Sequence, residues 1–345
     1  MRIILSCLTA ALILAACSPS LTLTRFQAGF LGTFDTYIDV MLYAGSRQEF
    51  SEHFTFVRET FEHYHALFDI YNEHSGLNNL RTVNDNAGIA PVAVGQEIVD
   101  LLSISQQAYY DTGGALNIAL GPVLSIWHDY RLRGLEDPDN TMIPPYSALR
   151  AAYELSIMSD VIIDGQAGTV FLANAGMSLD VGATAKGFTV GRVAEMLRER
   201  GVTSAIISAG GDVVTIGESP VNGGRPWNVG VRNPLDRRVI DSVLVRDMAA
   251  ATSGGDQRAF VVDGVAYNHI IDPATLMPAT GFAAVSVIHE DMMTAEILST
   301  ALFILPLNEG LRLAEDFGAA AIWVLHDGSV EFNRLYAEIS SNFGD

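Results

Sequence analysis

Lysine is nearly absent from this chain. Of the 20 basic residues among 345, 19 are Arg and one is Lys, Lys186. Arg meets almost every need for positive charge here, so a single compact ammonium invites a chemical explanation. Positive charge is scarce altogether: 40 acidic residues bring the formal net charge to −20, which excludes nucleic acid as the main partner, because phosphate backbones are held by clustered Lys and Arg. Cysteine is limited to Cys7 and Cys17. No G-x-S-x-G, H-E-x-x-H, C-x-x-C or G-x-x-x-x-G-K-[ST] occurs, so serine-hydrolase, zincin, dithiol-redox and P-loop chemistry have no support. After the first residues no run of 18 apolar residues exists, which excludes a later membrane-spanning helix of ordinary kind. With 49% hydrophobic and 17% charged residues, the chain has enough apolar side chains for a large core.

Residues 1–16 read Met-Arg followed by an almost unbroken apolar run, the pattern of a bacterial export signal and too short to span a bilayer. Leu14-Ala15-Ala16-Cys17 resembles a lipobox, so cleavage before Cys17 and diacylation of that residue are expected; an ordinary signal with an incidental Cys is the plainer alternative. Cys7 would leave with the signal, so no intramolecular disulfide is possible in the mature chain. The mature protein is expected on the outer face of the cytoplasmic membrane, held by its lipid. Residues 17–27 would be a tether and 28–340 one globular unit.

Hydrophobic spacing predicts a strand over 33–43, an amphipathic helix over 47–70 and an Asn/Asp/Gly-rich loop over 71–88. Helices follow at 95–111, 117–130 and 146–157. Short strands are expected at 161–163, 169–172 and 177–181, then a helix over 184–200. Strands at 204–208, 212–216, 227–231, 240–246, 259–262, 266–271 and 283–289 precede helices at 293–305 and 308–316, with closing strands near 320–325 and 329–332. Helices gathered first and strands later indicate an α+β chain.

Four segments carry candidate chemistry. Ser178–Gly187 passes from strand through glycine to a helix, and amides at a helix N-terminus favour anions, with Lys186 in the first turn. It reads as a phosphate site, against a plain connection bearing a surface Lys. Ser208-Ala-Gly-Gly-Asp212 lets a ligand approach the backbone but lacks the Rossmann fingerprint. Ala251–Gly255 is followed by Asn268-His269-Ile-Ile-Asp272-Pro273, where His269 is a candidate base and Asp272 an orienting or metal-linked carboxylate. Glu296 and Thr300 stand four apart on a helix, sharing a face; oxygen donors suit Mg²⁺, although a first-turn Glu also complements a helix dipole.

The order and spacing of these segments, from Leu31-Gly32-Thr33 to about residue 333, resemble the ApbE family of flavin transferases, which move FMN from FAD onto proteins. The resemblance implies a single α+β, T-fold-like domain with helices and mixed or antiparallel sheets, and a flavin site in a central cleft. It implies Mg²⁺ held by the Ala183 carbonyl, Glu296 and Thr300. FAD, the substrate, would be contacted by Leu31, Tyr71, Asn117, Ala119, Asp180, Lys186, His269 and Ile271. His269, Asp272 and Lys186 would carry the chemistry, in which a Thr hydroxyl of an acceptor flavoprotein takes FMN and AMP leaves. The same residues would serve a Mg²⁺-dependent FAD pyrophosphatase or a flavin-binding lipoprotein without turnover. Departures from the family pattern are Glu296 where Asp is usual, Leu31 for Met, Gly191 for an Asp, and Gly255-Asp256 for Asp-Tyr.

Overall fold

Alternate residues of Thr36–Ala44 are buried (Ile38, Val40, Leu42 and Ala44), the period of two that places a strand on a core. The computed structural model describes residues 23–221, 223–255 and 258–344. The expected signal, Cys17 and most of the tether lie outside these residues.

Eight strands form one antiparallel sheet whose spatial order equals chain order: β1 (Thr24–Thr33), β2 (Thr36–Ala44), β3 (Ser204–Ala209), β4 (Asp212–Gly217), β5 (Ala249–Gly254), β6 (Ala284–His289), β7 (Ala320–Val324) and β8 (Val330–Phe332). The register, for example Ile38 opposite Ala209 and Val40 opposite Ile207, puts Ile38, Val40, Ile207, Val285, Val287 and Trp323 on one face. That face is covered by α1 (Arg47–Phe68), α4 (Ala185–Glu199) and α5 (Met292–Ile304). The opposite face, with Tyr43, Ile206, Ile288 and Ile322, is covered by the hairpin Trp227–Arg232/Val239–Val245 and by the short helix Arg334–Ile339.

The crossing from β2 to β3 holds most of the helical chain: α1, α2 (Gln96–Asp111), α3 (Gly121–Glu136), a three-stranded sheet and α4. A second core around Leu80, Leu101, Leu102, Ile118 and Val170 joins this insertion to the N-terminal turn of α4. α5 is apolar almost all round because it lies between the sheet and α4; ten of its thirteen residues are buried. Glu296 is the acidic residue on it. Among the described residues no helix is long and apolar enough to cross a membrane.

Several expectations are corrected. The sheet begins at Thr24, inside the expected tether, because Thr24 to Phe30 pair with β2. Residues 177–181 form no strand; their backbone bonds go to a side chain and a loop instead of a ladder. The strand expected over 266–271 is split, since Asn268 accepts from the Ile270 amide through its own side chain. Within the expected loop 71–88, Asn79 and Thr82 form a reciprocal capping box that starts the helix Leu80–Asp85. β5, built of Ala-Ala-Ala-Thr-Ser-Gly, has too little apolar contrast for periodicity to reveal it.

One buried carboxylate ties the C-terminus down. Asp241, 1% exposed, accepts from Tyr336 Oη (2.8 Å) and Ser340 Oγ (2.6 Å). Burial and this carboxylate push the Tyr336 phenol well above its usual range. Asp241→Ala leaves a buried hydroxyl without its acceptor and is expected to cost about 2–3 kcal/mol. Urea unfolding reads that loss, while turnover per folded molecule stays at the parent value.

Candidate active site

The turn that leads into α4 is fixed from several sides. The Asn84 side chain donates to the Leu179 carbonyl (3.0 Å) and accepts from the Leu179 amide (2.7 Å), acting as a surrogate strand. The Asp180 amide donates to the Ile118 carbonyl at 2.8 Å. A Cβ on Gly121 would lie 2.3 Å from the Ser178 carbonyl oxygen, so only glycine lets these segments meet. Thr184 and Ala185 both donate their amides to the Val181 carbonyl, and the helix starts.

Its first turn is capped from another element. Thr184, the N-cap, makes no side-chain cap bond. The Gly187 amide instead donates to Glu296 Oε2 of α5 at 2.7 Å. This carboxylate takes the place of the anion that a helix N-terminus attracts. Lys186 Nζ lies 3.0 Å from Glu296 Oε1 and also pairs with the Asp212 carboxylate at the start of β4. Asp212 and Glu296 are 2% and 4% exposed. Lys186 is therefore no surface lysine: it fills the gap between two buried carboxylates. Two negative charges share one positive charge, so the cluster carries a formal −1 away from bulk water. The expectation that Lys186 supplies spare positive charge to a phosphate is corrected accordingly.

Thr300, one turn beyond Glu296, lies with its Oγ1 3.3 Å from Ser253 Oγ, which also bonds Ser299 Oγ at 2.9 Å. β5 thus brings the Ser of Thr-Ser-Gly to the hydroxyl side of α5. Among the described residues no three His, Cys, Asp or Glu side chains group as ligands, so a metal here relies on one carboxylate together with hydroxyl and carbonyl oxygens. Glu296, Thr300 and the Ala183 carbonyl are an all-oxygen set of the kind Mg²⁺ takes, and the residual −1 of the cluster favours a cation. These residues fit that ion.

A second group gathers around Tyr71 and His128. Tyr71 is 57% exposed and stands against His128, with ring centroids 5.5 Å apart. Loss of water to the surrounding protein and the charges of Asp180 and Asp35 push the Tyr71 phenol up to about 12, with Arg131 and Arg258 opposing. Asp180, partly buried and accepting the Gly182 amide at 2.8 Å, is raised by loss of water, which that amide, His128 and Arg258 only partly offset. His269 is lowered to about 4 by the protein around it and by Arg258 and Arg131. Its outer edge is open to water, so screening tempers that depression, and the imidazole is neutral at pH 7. Asn117 accepts the Ala119 amide (2.9 Å) and caps the short turn whose Ile118 carbonyl holds Asp180.

The structure thus joins Lys186, Glu296 and Thr300, with Ala183 in the adjoining turn, and it sets Tyr71, Asp180 and His269 in one electrostatic neighbourhood. Leu31, 73% exposed, lies in the edge strand β1 where its register with β2 shifts between Phe30 and Thr33. Ile271 is buried and contributes backbone, its strand pairing with Pro278. Asp272 differs from expectation: its oxygens accept the Ala274 amide (2.8 Å) and Thr275 Oγ1 (3.0 Å), closing its own turn. Both carboxylate oxygens thus serve the turn that Asp272 begins. Sequence reasoning assigned no role to Asp212, Ser253, His128, Arg131 or Arg258. Only the Gly-Gly-Asp turn and the i,i+3 spacing of His128 and Arg131 gave a signal.

The sequence profile of the ApbE family matches residues 34–323. An FAD:protein FMN transferase of Treponema pallidum is 34% identical over 268 residues, 73% of this chain and 72% of its own. The crystal structure of the ApbE protein of Thermotoga maritima superposes with a TM-score of 0.81 at 27% identity, over 92% of this chain and 99% of that one. The flavinyl transferase ApbE of Pseudomonas stutzeri, in its apo form, gives 0.76 at 25% identity over 94% and 98%. On the strength of this match across the helical insertion, the α4 turn and the sheet, the chain belongs to the ApbE family.

Proposed function

We propose that this protein transfers FMN from FAD to a Thr hydroxyl of an acceptor flavoprotein, with Mg²⁺, releasing AMP. The observation that carries the reading is the Lys186–Glu296–Asp212 cluster, with two buried carboxylates, at the N-terminal turn of α4. Glu296, Thr300 and the Ala183 carbonyl would hold the ion, which supplies charge neutralisation at the pyrophosphate when bound. Lys186 bridges the two buried carboxylates and holds Glu296 in place. The acceptor oxygen bonds to the FMN-side phosphorus, the P–O bond to AMP breaks, and the hydroxyl proton passes to His269 and then to water. Leu31, Asn117, Ala119 and the Ile271 backbone would complete the FAD contacts.

The deciding experiment incubates the protein with FAD, Mg²⁺ and a Thr-bearing flavoprotein domain, measuring acceptor mass and AMP. A mass gain equal to FMN with one AMP per acceptor supports the transfer; AMP and free FMN without that gain replaces it with a pyrophosphatase, and intact FAD sinks both.

His269 provides a pH test. Its lowered pKa means that the neutral, proton-accepting form persists below the ordinary histidine value of 6.5, so the acid limb of kcat/KM should lie below that value. An acid limb at 6.5 or above counts against His269 as the acceptor. We further propose that the chain is exported and anchored through a lipid on Cys17. Labelled palmitate should enter the parent protein and be lost in Cys17→Ser; equal labelling of both would overturn the anchor.

A further inference from the structure

Hydroxyl groups link β5 to α5. Ala249 and Ala251, 1% and 0% exposed, bury one face of β5 in the core that α5 covers, and the period of two puts Ser253 on that face as well. Thr252, on the other face, bonds Ser286 Oγ at 2.8 Å. Ser253 Oγ meets two hydroxyls of α5, Ser299 Oγ at 2.9 Å and Thr300 Oγ1 at 3.3 Å. One fixed acceptor decides where the protons of this group go. Ser299 Oγ lies 2.9 Å from the Glu296 carbonyl oxygen, which can only accept, so the Ser299 proton is spent there. The contact between Ser299 and Ser253 then needs the Ser253 proton, and the longer contact between Ser253 and Thr300 needs the Thr300 proton. The order of donation is Thr300 to Ser253, Ser253 to Ser299, and Ser299 to the Glu296 carbonyl. A helical Thr often donates to the carbonyl three or four residues back. For Thr300 the carbonyl four back is Glu296, which Ser299 engages, and among the described residues the Thr300 hydroxyl bonds Ser253 instead.

We propose that Ser253 is a positioning residue for the divalent cation of flavin transfer: by accepting the Thr300 proton it leaves the lone pairs of Thr300 Oγ1 for the ion. A hard cation takes oxygen lone pairs and is repelled by a hydroxyl proton, so the direction of this relay matters more than its strength. Reversed, it would spend a Thr300 lone pair on Ser253 and turn the Thr300 proton toward the ion. Ser299 prevents the reversal by anchoring the relay on the Glu296 carbonyl, and it thereby ties Thr300 to the backbone of the other α5 residue assigned to the ion. The Ser of Thr-Ser-Gly thus acts through Thr300, as a partner that orients a ligand without being one.

The inference rests on the Mg²⁺-dependent transfer proposed above, and the test separates the two. Mn²⁺ uptake, with and without FAD, is read from the loss of the free-ion EPR signal in the parent, Ser253→Ala, Ser299→Ala, Thr300→Ala and the Ser253→Ala/Thr300→Ala double variant. The Mg²⁺ concentration that half-saturates FMN transfer is measured on the same preparations. Ser253→Ala should weaken Mn²⁺ about tenfold and raise the half-saturating Mg²⁺ about as much, while kcat at saturating Mg²⁺ stays within about threefold of the parent. Ser299→Ala should weaken Mn²⁺ about threefold or more, because the Ser253 proton then turns to Thr300. Once Thr300→Ala has removed the ligand, adding Ser253→Ala should change Mn²⁺ affinity by less than about twofold. Ser253→Ala that binds Mn²⁺ within about twofold of the parent overturns the proposal. So does a loss of full size on the Thr300→Ala background, since Ser253 would then act without Thr300. If Ser253→Ala does not fold, Ser299→Ala decides, and parent-like Mn²⁺ binding there overturns the relay. A parent protein that takes up no Mn²⁺ even with FAD overturns the ion reading itself; one that takes up Mn²⁺ and yields no FMN-bearing acceptor overturns the transfer and leaves the role of Ser253 to the EPR titration.

Discussion

Lys186→Met is expected to lose FMN transfer by a hundredfold or more, because the carboxylates that Lys186 bridges shift and Glu296 is misplaced, and to weaken the fold as well. The stability loss follows from charge. With the ammonium gone, Asp212 and Glu296 remain buried at 2% and 4% exposure, and among the described residues the Gly187 amide contact to Glu296 is what still offsets them. Breaking a buried ion pair by removing one partner costs about 3–5 kcal/mol. The sign with pH is definite. Each stranded carboxylate would have its folded pKa raised above its unfolded value near 4, so the folded variant binds more protons and its deficit shrinks as pH falls from 7 toward 4. A deficit that stays constant over that range would mean the carboxylates are not stranded. Millimolar Mg²⁺ should raise the melting temperature of Lys186→Met more than that of the parent, because the stranded charge of the variant is larger. Lys186→Arg is the gentler counterpart. It keeps the charge and most of the stability but places a broad plane where a point-like ammonium fits 3.0 Å from Glu296 Oε1, and transfer should fall all the same.

The parts of this architecture that were legible in the sequence are those with strong local chemistry. Phe50, Val57, Phe61, Tyr64 and Phe68 recur at helical spacing, and α1 lies where that spacing puts it, buried on those residues. β3 and β4 flank a Gly-Gly turn whose glycines both have positive φ, so the turn was marked in the residues themselves. Glu296 and Thr300 share a helical face whatever surrounds them. Partners supplied by distant segments were illegible. Asn84 acts on Leu179 across 95 positions, and Gly187 receives Glu296 across 109. No periodicity encodes such a pairing. The same limit misplaced Asp272, which looked like the partner of His269 by proximity in sequence but spends its oxygens on its own turn. Arg131 and Arg258 drew no notice because, in a chain where 19 of 20 basic residues are Arg, one more carries no signal.

Gly187→Ala should separate placement from stability. Gly187 sits in the first turn of a helix with ordinary helical backbone, where Ala in isolation is favoured by about 0.5–1 kcal/mol. Here a Cβ would lie 2.6 Å from Glu296 Oε2 and 2.8 Å from Glu296 Cβ. The carboxylate tip could rotate away, but its Cβ belongs to the packed helix α5, so α4 and α5 must part slightly. Overpacking of this kind costs about 1–3 kcal/mol, part of which the helix propensity of Ala returns, leaving a net loss of about 1–2 kcal/mol. The chemistry is expected to suffer more. Displacing the carboxylate by a few tenths of an ångström to 1 Å breaks its bond to the Gly187 amide and moves it away from Thr300, and misplacement on that scale costs about a hundredfold in rate. Urea unfolding and kcat, measured on the same preparation, give the comparison. A large fall in kcat beside a small loss of stability supports Glu296 as a position-critical donor. Parent-like kcat in Gly187→Ala would mean that the Glu296 carboxylate need not stand at the head of α4, and the ion-binding role given to it would fall with that result.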